Sequence, residues 1–255
     1  MLVVDWKTDG VVALSVLMWA VTITALLELY RMAGVTGSHR LWGVALVSVL
    51  AVGPLVSGGE PAAELEWSAV ALALFVLGLF LADWSDRGLT EDIGSLAVPA
   101  LGLLYVGVCL GFVVRVAQLP GIGVAGVVLL LAVAKGSDIS AYYVGTRLGC
   151  HRLAPRVSPN KSIEGAVGAL LVSVVAALAV VRMCGLPLGV PEAVLFAVLV
   201  SVAGQLGDLA ESLLKRKLRA KDSARLLPGF GGVLDMVDSL TGAAPAAYIL
   251  FRLLV

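Results

Sequence analysis

Eight apolar runs, near residues 11–30, 41–57, 67–82, 94–114, 121–145, 164–182, 188–211 and 231–254, take up most of the chain. A bilayer core roughly 30 Å thick is crossed by about 20 helical residues, so each run has close to the length of one crossing. Backbone exposed to lipid must satisfy its hydrogen bonds internally, which makes helices of them. The expected fold is all-α, a polytopic integral membrane helical bundle of about eight transmembrane helices forming a single membrane domain over 1–255. With 60% apolar and 14% charged residues and a mean hydropathy of +1.01, little sequence remains for a soluble domain. The bundle itself must carry the function.

Lys plus Arg and Asp plus Glu number 18 each, so net charge points to no nucleic acid or other polyanionic partner. The distribution is uneven. If the runs alternate across the bilayer, one side receives thirteen basic residues: Arg31, Arg40, Arg87, Arg147, Arg152, Arg156, Lys161, Lys215, Arg216, Lys217, Arg219, Lys221 and Arg225. The other receives Lys7, Arg115, Arg182 and Arg252, with Lys135 inside a run. Cytoplasmic loops are enriched in such residues, so both termini are expected outside the cytoplasm of a cell (inner or plasma) membrane. The first run has no small-residue cleavage signature and reads as a retained span rather than a signal peptide. Cys109, Cys150 and Cys184 are far apart and read as small apolar-like residues.

The connections near 146–163 and 212–230 are basic and rich in turn-forming residues. In the second, Ser212, Lys215, Arg216, Lys221, Asp222, Gly231, Gly232, Asp235 and Asp238 lead into the last run. Lys and Arg neutralise phosphate oxygens, and a glycine-rich backbone before a helix offers N–H groups to an anion. Asp235 and Asp238, three residues apart, are expected to share a helix face and converge on a hard cation, which magnesium suits best. The plainer reading is a positive-inside anchor balanced by interfacial carboxylates.

A second stretch couples Asp138, inside a run, to Ser158, Lys161 and Glu164 in a polar loop. Its plainer reading is an ion pair of Asp138 with Lys135 or Arg147, and a turn at Ser158-Pro159. Gln205, Asp208, Glu211 and Ser212 form a polar stripe at helical spacing. Glu28, followed by Arg31, reads as half of a helix-end ion pair.

The pattern Ser212-Leu-Leu-Lys215-Arg216, Lys221-Asp222 and Pro228-Gly229-Phe230-Gly231-Gly232-Val-Leu-Asp235-Met236-Val-Asp238 resembles the phosphatidate cytidylyltransferase (CDP-diacylglycerol synthase) signature. Asp138 to Gly149 and Ser158 to Gly165 are similar to upstream segments of that family. The resemblance is strong over about 135–240 and weaker over 1–134, so that 135–255 is the signature-bearing half. It implies synthesis of CDP-diacylglycerol and pyrophosphate from CTP and phosphatidate, a Mg2+ cofactor and a metal site that can include a monovalent cation such as K+.

On that resemblance Lys215, Arg216, Lys221, Asp222, Asp235 and Asp238 are the catalytic candidates. Asp222, Asp235, Asp238, Asp138 and Asp208 are the metal candidates, and Ser158, Lys161, Glu164, Ser212, Gly231 and Gly232 the substrate-binding ones. Two residues depart from the pattern: Phe230 stands where the signature usually has His, and Met236 where it usually has Arg. Arg225 or Arg219 could replace the missing charge. The expected partners are CTP, phosphatidate and membrane lipids, and a homodimer is common for such bundles. The rival readings are a CTP-dependent lipid kinase, a CDP-alcohol phosphotransferase and a lipid-binding or transport paralogue without catalysis.

Overall fold

The computed structural model describes residues 6–56, 61–87, 94–220, 222–224 and 231–255. Each expected run is helical: α1 (Trp6–Met32), α2 (Gly37–Val56), α3 (Pro61–Arg87), α4 (Gly94–Gly102) continuing through a π-helical turn (Leu103–Val108) into α5 (Cys109–Gln118), α6 (Gly123–Leu148), α7 (Ile163–Cys184), α8 (Val190–Lys217) and α9 (Val233–Leu254). Among the described residues, six stretches are long and apolar enough to cross a membrane: Gly10–Met32, Leu96–Gln118, Gly123–Leu148, Ile163–Cys184, Val190–Lys217 and Val233–Leu254, with Trp67–Leu81 a shorter apolar helix. Val167, Leu171 and Val175 on α7 are each more than half exposed, an apolar outer face suited to lipid. The chain is an integral membrane protein.

Two differences from the expected boundaries affect the site. Helix α8 runs on to Lys217, so Lys215 and Arg216 are helical and not in a loop. The connection after α6 folds into an antiparallel hairpin of β1 (Arg152–Ala154) and β2 (Ser158–Ser162), the only sheet among the described residues.

The chain divides into two compact units. The first comprises Met1–Val114 and Asp222–Met236. Helix α1 ends where Gly34 takes φ +70° and the Val35 amide donates to the Tyr30 carbonyl, closing the last turn. The fully buried Tyr30 ring lies against Gly43 and Gly102; a Cβ on Gly102 would come within 2.7 Å of it. Its hydroxyl donates to the Pro99 carbonyl at 2.9 Å, tying α1 to the helix that widens into the π turn four residues later. Trp19 and Trp67 donate to Ser48 Oγ and the Val49 carbonyl of α2, so these tryptophans pin neighbouring helices.

The second unit comprises Arg115–Lys221 and Val237–Val255. Helices α6 and α7 approach closely because Gly165 and Gly168 lack side chains: a Cβ on Gly165 would stand 2.7 Å from the Ala141 carbonyl oxygen. Ser162 caps α7 by accepting from the Gly165 amide at 3.1 Å. Helix α8 ends with Ala220 N–H donating to the Lys215 carbonyl and Arg219 N–H to that of Arg216, which places Arg219 at φ 56°. On α8, Gly207 lets α9 come close enough for a Cβ there to touch the Gly242 amide nitrogen at 2.8 Å.

Candidate active site

The glycine contact between α8 and α9 sets the chemistry of the second unit. One residue beyond Gly207 is Asp208, followed at helical spacing by Glu211, and one turn before Gly242 on α9 is Asp238. The three carboxylates offer ligand oxygens that all lie within 4.8 Å of one another. Glu211 is fully buried. At an effective dielectric of about 20, two like charges at that separation repel by about 3.5 kcal/mol, so the arrangement calls for positive charge nearby.

Some of that charge is built in. Lys161 from β2 meets Asp208 Oδ2 at 2.6 Å, and Lys215, one turn along α8, meets Glu211 Oε2 at 2.6 Å. Beside them Lys135 donates to Asp138 Oδ2 at 2.9 Å and to Ser239 Oγ at 2.8 Å, and Ser239 donates to Asp138 at 2.7 Å. The four carboxylates Asp138, Asp208, Glu211 and Asp238 thus stand with three ammonium groups. Three convergent carboxylates, an all-oxygen donor set, fit a hard divalent cation.

Asp208 and Lys161 also line a cavity of about 490 Å3, with Asp138, Arg152, Asn160 and Gln205 among its other walls. The hairpin supplies Arg152, Asn160 and Lys161, and Glu164 fixes its entry. The Glu164 carboxylate accepts from the Cys150 and His151 amides and meets His151 Nδ1 at 2.6 Å. Ser212 reaches Asp208 only at 3.5 Å, Arg216 Nε reaches the Val157 carbonyl at 3.5 Å, and Ser158 opens β2 half-buried.

The first unit contains the glycine-rich turn. Gly231 has φ +80°, a conformation open to glycine, and a Cβ on Gly232 would collide with Ser223 Oγ and Glu28 Oε2. Asp235 Oδ2 accepts from the Gly232 amide at 2.7 Å, the Ser223 amide at 3.0 Å and the Ser223 hydroxyl at 2.8 Å. Glu28, 1% exposed, accepts from the amides of Val233 and Leu234 at 2.9 Å each and meets the Ser223 hydroxyl at 2.8 Å. The Gly232, Val233 and Leu234 amides are therefore donated to carboxylates of the chain itself. Asp222 is exposed, and Met236 is 42% exposed. Lys221, Arg225 and Phe230 lie outside the described residues.

The sequence places Asp208 and Asp238 among the metal candidates and Glu211 on a polar stripe; the geometry adds Glu211 to them. Of Lys135 and Arg147, the two partners the sequence offers Asp138, the structure pairs it with Lys135. Glu28, expected in a helix-end pair with Arg31, instead caps a helix about 200 residues away, and no local pattern signals that.

A profile of the cytidylyltransferase family matches residues 2–254. The chain belongs to the cytidylyltransferase family. Within that family it is 42% identical over 180 residues to the phosphatidate cytidylyltransferase of Brucella abortus, covering 69% of this chain and 65% of that one. It is 32% identical over 252 residues to the phosphatidate cytidylyltransferase of Bacillus subtilis, covering 96% and 90%. The Thermotoga maritima phosphatidate cytidylyltransferase is 33% identical over 190 residues, covering 71% and 68%. The alignments to the Brucella relatives thus span just under two thirds of those proteins, while the Bacillus alignment runs nearly end to end. For this cytidylyltransferase-family chain, the carboxylate cluster and the adjoining cavity are the natural place to look for nucleotide chemistry.

Proposed function

We propose that this protein is a phosphatidate cytidylyltransferase, converting CTP and phosphatidate to CDP-diacylglycerol and pyrophosphate in phospholipid biosynthesis. The observation that carries the reading is Asp208: it belongs both to the carboxylate cluster and to the wall of the 490 Å3 cavity, so a metal site and a room for a nucleotide share one residue.

In the reaction a phosphatidate phosphate oxygen, already anionic, attacks the α-phosphorus of CTP. The new P–O bond forms as the bond to the β-phosphate breaks, and pyrophosphate leaves with that electron pair. No covalent enzyme intermediate is needed, and the work of the protein is positioning and charge stabilisation. Asp208, Glu211 and Asp238 would hold magnesium, which when bound neutralises charge on phosphate oxygens.

Lys161 carries three N–H donors, so it can keep Asp208 and still meet a phosphate oxygen. Arg152 offers a planar fork from the same cavity wall. Lys215 and Arg216 supply further positive charge, with Ser158 and Ser212 as hydrogen-bonding partners of substrate. Asp235 holds Gly232 and Ser223, Asp222 adds an exposed carboxylate, and Lys221 completes the basic set. Gly231 and Gly232 shape the turn, and Glu164 sets the hairpin. Asp138 holds Lys135 beside the cluster.

The excess of basic residues on one side of the spans supports a site facing the cytoplasm, where CTP is found, with the lipid tails left in the bilayer and both termini on the far side. The homodimer belongs to the same proposal: light scattering of the detergent-solubilised protein should give two chains per particle.

The test is where the label goes. Purified protein in mixed micelles with phosphatidate and magnesium should transfer label to lipid from α-labelled CTP and not from γ-labelled CTP. Transfer of the γ-label would mark a lipid kinase and overturn the reading.

A further inference from the structure

Glu28 lies near the C-terminal end of α1, one turn before Arg31, and is buried to 1% exposure. An ionisable side chain inside a span is costly to keep unless its partners compensate. Its partners here are the Val233 and Leu234 amides, which open α9, and the Ser223 hydroxyl.

The first amides of a helix have no partner within it and are usually satisfied by a side chain at the residue before the helix. That residue is Gly232, which has none. Its glycine is required because Glu28 Oε2 and Ser223 Oγ occupy the space a Cβ would take. The carboxylate comes from α1 instead, and its negative charge sits at the positive end of the α9 dipole. Ser223 Oγ lies 2.8 Å from both Glu28 Oε2 and Asp235 Oδ2, so one hydroxyl joins the imported carboxylate to the signature aspartate.

We propose that Glu28 is a positioning residue for nucleotidyl transfer. It caps α9 from another helix and so holds Ser223 and the first turn of α9, which carries Asp235. The inference rests on the cytidylyltransferase reading for its catalytic consequence, but not for its structural one. A locked turn keeps Asp235 in one place without drawing on a substrate phosphate to order the same amides. Loosening it should slow the chemical step more than it weakens substrate binding.

The experiment compares wild type with Glu28→Gln and Glu28→Asp in detergent micelles. Glu28→Gln should lower kcat at least tenfold, leave KM for CTP within about threefold, and keep the fraction of folded protein unchanged. Glu28→Asp, which keeps the charge on a shorter stem, should recover part of the loss. A second readout is independent of activity: amide hydrogen exchange over 231–235 should accelerate at least tenfold in Glu28→Gln, with α6 and α7 unaffected. Wild-type kcat in the variant, or activity that falls only in step with folded fraction, would overturn the positioning role while leaving the cytidylyltransferase reading in place. Should wild type show no cytidylyl transfer, that reading fails and hydrogen exchange alone decides whether Glu28 holds the turn. Unchanged exchange at 231–235 would overturn the inference in either case.

Discussion

Gly207 of α8 faces Gly242 of α9 so closely that a Cβ on Gly207 would lie 2.8 Å from the Gly242 amide nitrogen and 2.8 Å from the Asp238 carbonyl oxygen. The contact also places Asp208 and Glu211 opposite Asp238, because small residues let two helix backbones approach and the carboxylates follow one turn along. Gly207→Ala should push the helices apart at a cost of about 1–3 kcal/mol and lower turnover as well as thermal stability in detergent. Unchanged turnover in a folded variant would separate the glycine contact from the carboxylate cluster.

The carboxylates should be individually indispensable. Asp238→Asn, Asp208→Asn and Glu211→Gln are each expected to reduce turnover at least about 100-fold while the protein still purifies as a folded species. Asp235→Asn should also lose turnover, by a different route: an amide can no longer accept from the Gly232 and Ser223 donors as a charged carboxylate does. Initial-rate assays on detergent-purified variants check all four, and wild-type rates in Asp238→Asn would remove the cluster from the mechanism.

Arg219 holds φ 56° at the end of α8, where glycine would sit without strain. Arg219→Gly should therefore stabilise the folded protein by about 1 kcal/mol. If the arginine also supplies the charge that Met236 does not, the same variant gains thermal stability and loses turnover. Melting in detergent alongside the rate assay distinguishes a helix cap from a phosphate ligand.

Tyr30→Phe removes the hydroxyl that meets the Pro99 carbonyl and leaves that buried oxygen without the donor. A loss of about 1–2 kcal/mol in stability is expected, with little change in turnover, since Tyr30 packs the first unit against Gly43 and Gly102 and its hydroxyl goes to Pro99. Thermal unfolding of the variant measures it.

The helices were legible because a twenty-residue apolar run has one solution in lipid, and the signature residues were legible because their types and spacing are unusual together. The hairpin of Arg152–Ala154 and Ser158–Ser162 was not, since Pro159 sits within its second strand and no apolar alternation marks either one. The roles within the glycine-rich turn were not legible either. Asp235 and Asp238, expected to work from one face, serve different partners: Asp235 holds Ser223 and Gly232, and Asp238 lies with Asp208 and Glu211. Glu28 could not be found by any local pattern, because its partners at Ser223 and Leu234 are 195 and 206 residues along the chain.

The most direct test of the central claim is the conversion of α-labelled CTP and phosphatidate by the purified protein as magnesium is titrated, with an EDTA control and Asp238→Asn alongside. Wild type should give equal amounts of CDP-diacylglycerol and pyrophosphate, with product that rises with magnesium and vanishes with EDTA, and the variant a rate at least about 100-fold lower. Folded wild type that yields no CDP-diacylglycerol, or product that survives EDTA and the Asp238→Asn change undiminished, would contradict it.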